Sequence, residues 1–425
     1  MHEETTFQNG VESNMPQWSD YTTGERIKVL RGRDVRQSDL AEMTGLSVVT
    51  IQKAEQDKQL SLPTLLKIAD ALGVDTSVIL GQQAPRRAME HDDRSMMRAL
   101  SQAVHDTAAG ILPTTIEDVT ETGMRTAVDR CWDLYWAGDY MQAGVLCGPL
   151  IAQASVHLRE RSVGEQAEGW SLLSDAHRLA AYVANLMGAR DLAYAAIGHA
   201  QAAAERSADE LLPALVSSGR SWVYLRDARL PEALSLAEKA ALDIEPQFST
   251  ATPERLTVYG SHINFAAVVA SRMGDKDRAG DFLSQSHATG ARMGQEHKAH
   301  GTSFGPVTAT TQAVGINIAL GQTAKAIALV NDIRDVSQLT QAARNRYAMD
   351  KALAQADAKL WDASLDTLEE ALTRAPQWAR HQALPGVIVQ KIGRASTARL
   401  RRVSQLIGVR PGVDGFPPAT NKTAL

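Results

Sequence analysis

Side chains that can contact the edges of nucleic-acid bases are concentrated in one short segment of this 425-residue chain. The methyl group of Thr50 suits contact with a thymine methyl group. The amide of Gln52 can pair with adenine, and the ammonium group of Lys53 can donate to guanine O6 and N7. For Val48, partial burial is an equally good interpretation. The candidate contact residues of this segment are Ser47, Val48, Val49, Thr50, Gln52 and Lys53.

The residues around this segment fit two short helices separated by a tight turn. Ala41 is small enough for two helices to cross closely, and Gly45 can take the positive φ that the turn needs. Ser47 is a good N-cap for the second helix. Ile51 and Ala54 of that helix would project their side chains toward the first helix. This pattern is typical of a helix-turn-helix, whose second helix enters a DNA major groove.

Residues 24–82 resemble the Cro/repressor-type (XRE family) helix-turn-helix domain of bacterial and phage regulators. The resemblance implies five helices, of which the third is the recognition helix. They correspond to residues 24–31, 37–44, 47–56, 62–74 and 75–80. The sequence departs from the family pattern at Asp34 and Asp57, which stand where glycine is usual. The link between the first two helices is also one residue shorter.

The resemblance also implies contacts with the DNA backbone. Gln37 would present its amide and the N-terminus of its helix to a phosphate, as family members do at the matching position. Arg36 and Lys58 are further candidates for phosphate contact. We expect Glu55 to pair with an arginine of the first helix, such as Arg31, rather than with DNA. The alternative interpretation of the whole segment is an ordinary helical hairpin inside a bundle. The match of two further helices to the family pattern disfavours this alternative.

The composition indicates more than one domain. A chain of 425 residues is too long for this domain alone, and a hydrophobic content of 44% is enough for a second core. The net charge of −5 argues against a general polyanion-binding protein. Cys131 and Cys147 do not form a metal-type pair, which indicates a reducing cytoplasm. No secretory signal is visible, and the apolar runs are too short to span a membrane.

The fold class that we predict is all-α, with an N-terminal five-helix repressor-type domain and a C-terminal α-solenoid that resembles tetratricopeptide repeats. The predicted segments are a disordered tail at 1–22, the helix-turn-helix domain at 23–82, a linker with one helix at 83–119, the solenoid at 120–410 and a disordered tail at 411–425.

The solenoid is predicted from a repeated pair of small residues. In each pair, a small residue at a helix end is followed five positions later by an alanine inside the next helix, which suits stacked helical hairpins. The pairs are Gly138/Ala143, Gly188/Ala193, Ala228/Ala233, Gly274/Ala279, Gly321/Ala326 and Ala358/Ala363. The segments 136–143 and 273–279 resemble the turn of a tetratricopeptide repeat, although the spacing of the pairs is longer and varies.

Polar side chains on the first helix of each hairpin indicate a ligand-binding concave face. An asparagine can clamp a peptide backbone with a donor and an acceptor. The candidates are Asn185, Asn264, Asn317 and Asn345. The layout resembles Gram-positive quorum-sensing regulators, in which a repressor-type domain precedes a repeat domain that binds a signalling peptide. For any one of these residues, an ordinary polar position on the solenoid surface is the alternative.

Catalytic and metal-binding patterns are missing from the sequence. No Gly-rich loop ends in Gly-Lys-Ser/Thr. The segment 296–300 would place His297 and His300 on one face of a helix, but it lacks the His-Glu-x-x-His pattern, and we interpret both as surface histidines. We therefore expect no enzymatic activity, no cofactor and no metal.

These observations predict a cytoplasmic, sequence-specific transcriptional regulator. It would bind an inverted repeat in double-stranded DNA as a homodimer, with half-sites about one turn, or roughly 34 Å, apart. The solenoid would sense a peptide or small-molecule effector, mediate dimerisation, or both, and no membrane partner is expected. The alternative is a protein-interaction scaffold whose helix-turn-helix no longer binds DNA.

The charge of the helix-turn-helix segment predicts a weak salt dependence of DNA binding. Residues 23–82 contain eight basic and eight acidic residues, and so have no net charge. Each neutralised phosphate contributes about −0.9 to the slope of log K against log salt concentration, and few such contacts are available here. Titrations of duplex DNA at several salt concentrations should give a shallow slope. A steep slope, typical of many phosphate contacts, would contradict this prediction.

Overall fold

The structure is a computed structural model that describes residues 21–32, 35–58, 60–74, 76–80, 91–113, 120–376, 378, 382, 384–392, 400, 402–403 and 406. The chain is helical almost throughout this part. The predicted all-α fold is confirmed. Among the described residues, no helix combines the length and the apolar character that a membrane crossing requires.

Five short helices form the N-terminal domain. They are α1 (Thr23–Arg31), α2 (Gln37–Thr44), α3 (Val48–Glu55), α4 (Leu62–Ala71) and α5 (Thr76–Ile79). The five predicted helices are confirmed, with ends that differ by a few residues. Ile27, Leu40, Ile51 and Leu65 are fully buried at the centre of this domain. In the link between α1 and α2, Arg33 and Asp34 lie outside the described residues.

The remaining helices follow one another in hairpins. They are α6 (His91–Ala108), α7 (Glu121–Ala137), α8 (Tyr140–Glu160), α9 (Ala167–Leu186), α10 (Arg190–Ala204), α11 (Leu212–Arg226), α12 (Leu230–Asp243), α13 (Pro253–Met273), α14 (Lys276–Met293), α15 (Pro306–Ala319), α16 (Thr323–Asp332), α17 (Gln341–Asp357), α18 (Trp361–Arg374) and α19 (Leu384–Ile392). From α7 to α18, each helix packs against its neighbours in sequence, and α6 packs on α8. The arrangement is solenoid-like, as predicted.

The turns inside the hairpins follow the predicted pattern in five of the six pairs. The first residue of each of these pairs has a positive φ, between 57° and 89°: Gly138, Gly188, Ala228, Gly274 and Gly321. The alanine five positions later is completely buried in each case: Ala143, Ala193, Ala233, Ala279 and Ala326. A residue without a large side chain at this position lets the two helices of a hairpin approach closely.

The sixth pair, Ala358/Ala363, is wrong by one residue. Ala358 still has a helical φ of −80° at the end of α17, and Lys359 takes the positive φ of 61°. The buried small residue is accordingly Ser364, whose hydroxyl donates to the carbonyl oxygen of Ala352 at 2.7 Å. A small polar side chain fits here because its hydrogen bond is satisfied inside the hairpin.

A two-stranded β-hairpin between α14 and α15 was not predicted. Its strands are β1 (His297–Ala299) and β2 (Thr302–Phe304), which pair antiparallel. The expectation that His297 and His300 share a helical face is therefore wrong. His300 has a positive φ of 49° in the turn and lies 3.2 Å from a carboxylate oxygen of Asp209.

This β-hairpin and the end of the solenoid both contact the first helical pair. The indole Nε1 of Trp136 donates to the carbonyl oxygen of Gly301 at 2.8 Å. Trp378, which follows α18, lies against Gly138, where an added Cβ would come within 2.7 Å of the Trp378 Cβ. Helix α17 also contacts α7. The solenoid therefore closes on itself around an internal cavity.

The N-terminal domain docks on the solenoid through α4 and α5. Leu62 packs against the hydrophobic cores of both parts. Val387 of α19 belongs to the core of the N-terminal domain, and Leu80 lies beside Gly386. The predicted domain boundaries stay predictions, and residues 1–20 and 407–425, which include most of both predicted tails, lie outside the described residues.

The turn at Ala228 gives a test of the hairpin geometry. Ala228→Gly should raise the free energy of unfolding by about 0.5–1 kcal/mol, because relief of the left-handed strain exceeds the added entropy of the unfolded chain. The matched control is Gly274→Ala, at the same turn of the next hairpin, where φ is 81° and no atom lies within 4 Å of an added Cβ. That variant should lower the thermal midpoint, whereas Ala228→Gly should raise it. Equal shifts in the same direction would contradict the prediction.

Candidate nucleic-acid interface

Helix α3 presents one face to solvent and buries the other. Val49 is 57% exposed and Val48 is 39% exposed, which are high values for β-branched apolar side chains. On the opposite face, Ile51 and Ala54 are buried, as predicted. Ser47, Gln52 and Lys53 are exposed, and Thr50 is half-buried. The structure therefore brings the six residues selected from the sequence together on one accessible surface.

The turn between α2 and α3 has the predicted geometry. Gly45 is in the left-handed region with φ 62°, and its N–H donates to the carbonyl oxygens of Ala41 and Glu42 in the last turn of α2. Ala41, which is buried, accepts a hydrogen bond from the backbone N–H of Leu46 at 3.0 Å. The hydroxyl of Ser47 accepts from the N–H of Thr50 at 3.1 Å and so caps α3. These contacts fix the direction in which α3 leaves α2.

A buried carboxylate connects the first three helices. Glu55, at the end of α3, is 2% exposed. Its Oε1 accepts from Arg31 Nε at 2.6 Å, which confirms the predicted pair. Its Oε2 accepts from Gln37 Nε2 at 2.7 Å. The amide of Gln37 thus orients the carboxylate of Glu55, and its predicted contact with a phosphate stays a prediction.

The two basic candidates for phosphate contact are both exposed. Arg36 forms an ion pair with Asp39 at 3.2 Å, and this hydrogen-bonded contact raises the pKa of the guanidinium group. An exposed pair of this kind adds little to stability, so Arg36 can exchange Asp39 for another anion. Lys58 lies just beyond α3 on the same domain.

The sequence did not reveal the roles of Gly24 and Asp57. An added Cβ at Gly24 would lie 2.4 Å from the carbonyl oxygen of Glu55, so α1 and α3 touch at this point. Asp57 adopts φ 56°, the conformation for which glycine is usual, and its carboxylate accepts from the N–H of Gly24 at 2.7 Å. Asp57 therefore replaces the usual glycine and caps α1 as well. Gly24 and Asp57 are distant in the sequence, so their contact is visible only in the folded structure.

The comparison with protein families agrees with this geometry. Residues 27–79 match the family described as Helix-turn-helix. This part of the chain is a DNA-binding helix-turn-helix domain. It is of the XRE type, as predicted from the sequence. A crystal structure of BtubC (BKLC) from P. vanneervenii is 15% identical and covers 53% of this chain and 89% of its own, with a TM-score of 0.36. No curated protein matches the chain.

The second candidate site is the cavity inside the solenoid, which consists of a smaller chamber of about 230 Å³ and a larger chamber of about 370 Å³. Of the four predicted asparagines, Asn264 lines the larger chamber. Asn317 donates to the carbonyl oxygen of Ala313, and Asn185 and Asn345 are buried between helices. The ligand role of these three asparagines stays a prediction. The arginines that line the larger chamber, Arg226, Arg272 and Arg346, were not among the candidates selected from the sequence.

The buried carboxylate gives a test of how α3 is held. Glu55→Ala should lower the free energy of unfolding of the DNA-binding domain by about 2 kcal/mol, less than for a fully buried pair because Arg31 keeps some contact with water. Hydrogen exchange of the α3 backbone amides in the full-length protein would measure the change. The matched control is Glu42→Ala, at an exposed position of α2, which should have little effect. Equal exchange in the two variants would contradict the prediction.

Proposed function

We propose that this protein is a transcriptional regulator that binds an inverted repeat in double-stranded DNA. The observation that supports this most strongly is the exposed face of α3, with two valines, Thr50, Gln52 and Lys53 in the helix that family members insert into the major groove. The docking of the solenoid through α4 leaves this face accessible. The regulator would act in the cytoplasm.

A homodimer is the second part of the proposal. One recognition helix contacts only a few base pairs, so useful specificity requires two helices on two half-sites about one helical turn apart. The absence of net charge in residues 23–82 supports this argument, because a single domain gains little non-specific affinity from the DNA phosphates. Pairing of two chains would supply the missing affinity.

The solenoid supplies the third part of the proposal, the sensing of a peptide or small-molecule effector. The cavity favours this role over a purely architectural one, because its larger chamber has a volume typical of ligand pockets. Such an effector would act by a difference in its affinity for two arrangements of the chain, of which one fits the operator better.

A selection of binding sites from random duplex DNA tests the proposal. The wild-type protein should recover an inverted-repeat motif. Val49→Glu and Lys53→Glu each place a carboxylate against the DNA and should weaken binding to that motif about tenfold or more. The matched control is Lys67→Glu, an identical charge change at an exposed position of α4, which should bind nearly as well as the wild type.

The same experiment can reject the proposal. If no motif is recovered, or if binding is equally sensitive to Lys53→Glu and Lys67→Glu, α3 is not the element that reads DNA. Sedimentation of the complex with the selected duplex measures its stoichiometry, for which two chains per duplex are expected.

A further inference from the structure

The two chambers of the cavity meet between α13, α15 and α17 on one side and α4 on the other. They share lining residues from each of these helices, namely Leu62, Leu66, Val268, Arg272, Gln312 and Arg346. The junction is therefore formed by both the solenoid and the DNA-binding domain. Arg272, Arg346 and Gln312 are the polar residues of this group.

The larger chamber is electropositive. It is lined by Arg226, Arg272 and Arg346, and among its described lining residues there is no aspartate or glutamate. In a cavity of low dielectric constant, such charges interact more strongly than they would in water. Asp350, which lines the smaller chamber, compensates part of this charge, and an anion in the larger chamber would reduce the remaining repulsion between Arg272 and Arg346.

Arg272 carries the charge that is least compensated. Among the described residues, it has no hydrogen bond or ion pair, whereas Arg346 is paired with Asp350 at 3.2 Å. Asp350 in turn fits against Gly315, where an added Cβ would lie 2.8 Å from its carboxylate. Burial lowers the pKa of Arg272 to about 10; repulsion from Arg346 adds to this shift, and attraction to Asp350 opposes it. Arg272 therefore remains charged at neutral pH, at the junction of the chambers.

Among the described lining residues, aromatic side chains belong to the larger chamber and not to the smaller one. Tyr182 lies between Tyr135 and Trp222, with ring-centroid distances of 5.7 and 5.1 Å. Trp136 and Phe304 are further members of this wall. A wall of this kind accommodates an aromatic or acyl group, while the arginines at the junction suit an anionic one.

We infer that the cavity binds a small organic anion, with its carboxylate or similar acidic group at Arg272 and Arg346 and its apolar body against the aromatic wall. The volume of the larger chamber suits a small molecule. The inference narrows the effector of the proposed function to one chemical class, and its regulatory meaning rests on that function.

The position of α4 gives this site a route to the DNA-binding domain. Leu62 and Leu66 of α4 line both chambers, and Thr76 of α5 lines the larger one. An occupant therefore touches the DNA-binding domain directly. Since its contacts depend on where α4 lies, it binds one arrangement of the two domains more tightly and shifts the population toward that arrangement.

Two matched fluorescent probes test the site in the full-length protein without DNA. The anionic probe is 8-anilinonaphthalene-1-sulfonate, and its uncharged counterpart is N-phenyl-1-naphthylamine, which lacks only the sulfonate. The uncharged probe is the more hydrophobic, so an ordinary apolar cavity would favour it. We expect one anionic probe to bind per chain, with at least the affinity of the uncharged probe.

Two variants locate the anionic probe. Arg272→Met should weaken its binding about tenfold or more, as expected for loss of a charge-assisted contact, and should leave the uncharged probe unaffected. Gln312→Glu changes no volume but adds a negative charge at the junction, and should act in the same direction. It serves as the second variant if Arg272→Met does not fold. The control is Arg278→Met, which removes an exposed arginine paired with Glu238 on the outer surface.

Several outcomes would overturn the inference. They are preferential binding of the uncharged probe by the wild type, and unchanged affinity for the anionic probe in Gln312→Glu. Equal weakening by Arg278→Met would have the same meaning. Because the titrations contain no DNA, failure to select an operator would reject the proposed function and leave this result standing. Conversely, if the protein selects an operator but does not bind the anionic probe, only the inference is rejected.

Discussion

Trp378 lies against the backbone of Gly138, at a point where even one additional carbon atom would collide with it. This contact joins the end of the solenoid to its beginning, and the hydrogen bond from Trp136 to Gly301 makes a second connection through the β-hairpin. An open solenoid would expose its concave face to water. Closure instead turns that face into the wall of a partly enclosed cavity, in which charges are screened less than on an open surface. The cavity depends on this closure.

The DNA-binding domain uses opposite sides for its two contacts. Helix α4 faces the solenoid through Leu62 and Leu66, whereas the exposed side of α3 carries Val49 and Lys53. The buried pair of Glu55 and Arg31 fixes α3 to α1, so that a displacement of the domain moves the recognition helix with it. The first and third helices of the domain are therefore held together as one unit.

The sequence predicted the helix-turn-helix closely because its constraints are local. The turn at Gly45, the cap at Ser47 and the inward residues Ile51 and Ala54 each depend on neighbours a few positions away, and all are confirmed. The hairpin repeats were predictable for the same reason. The last pair was misplaced by one residue, because Lys359 took a left-handed conformation that its side chain gives no reason to expect.

Features that depend on distant contacts escaped prediction. The strands around His297 are short and polar, and their position follows from packing against α13 and the first helical pair. The arginines of the cavity come from α11, α13 and α17, and only the closure of the solenoid brings them together. A pattern read along one helix cannot show which other helices face it. The asparagines selected as ligand-binding residues illustrate this, since Asn264 alone among them lines the cavity.

Val387 completes the hydrophobic core of the DNA-binding domain, although about 300 residues separate it from α5. During synthesis, the five N-terminal helices leave the ribosome long before this residue does, by roughly 15–60 s at ordinary translation rates. Until then, Leu80 and Leu62 lack the surfaces against which they pack. The domain that reads DNA therefore reaches its final packing only on a nearly finished chain. A truncated product would carry the recognition helix on an incompletely packed domain.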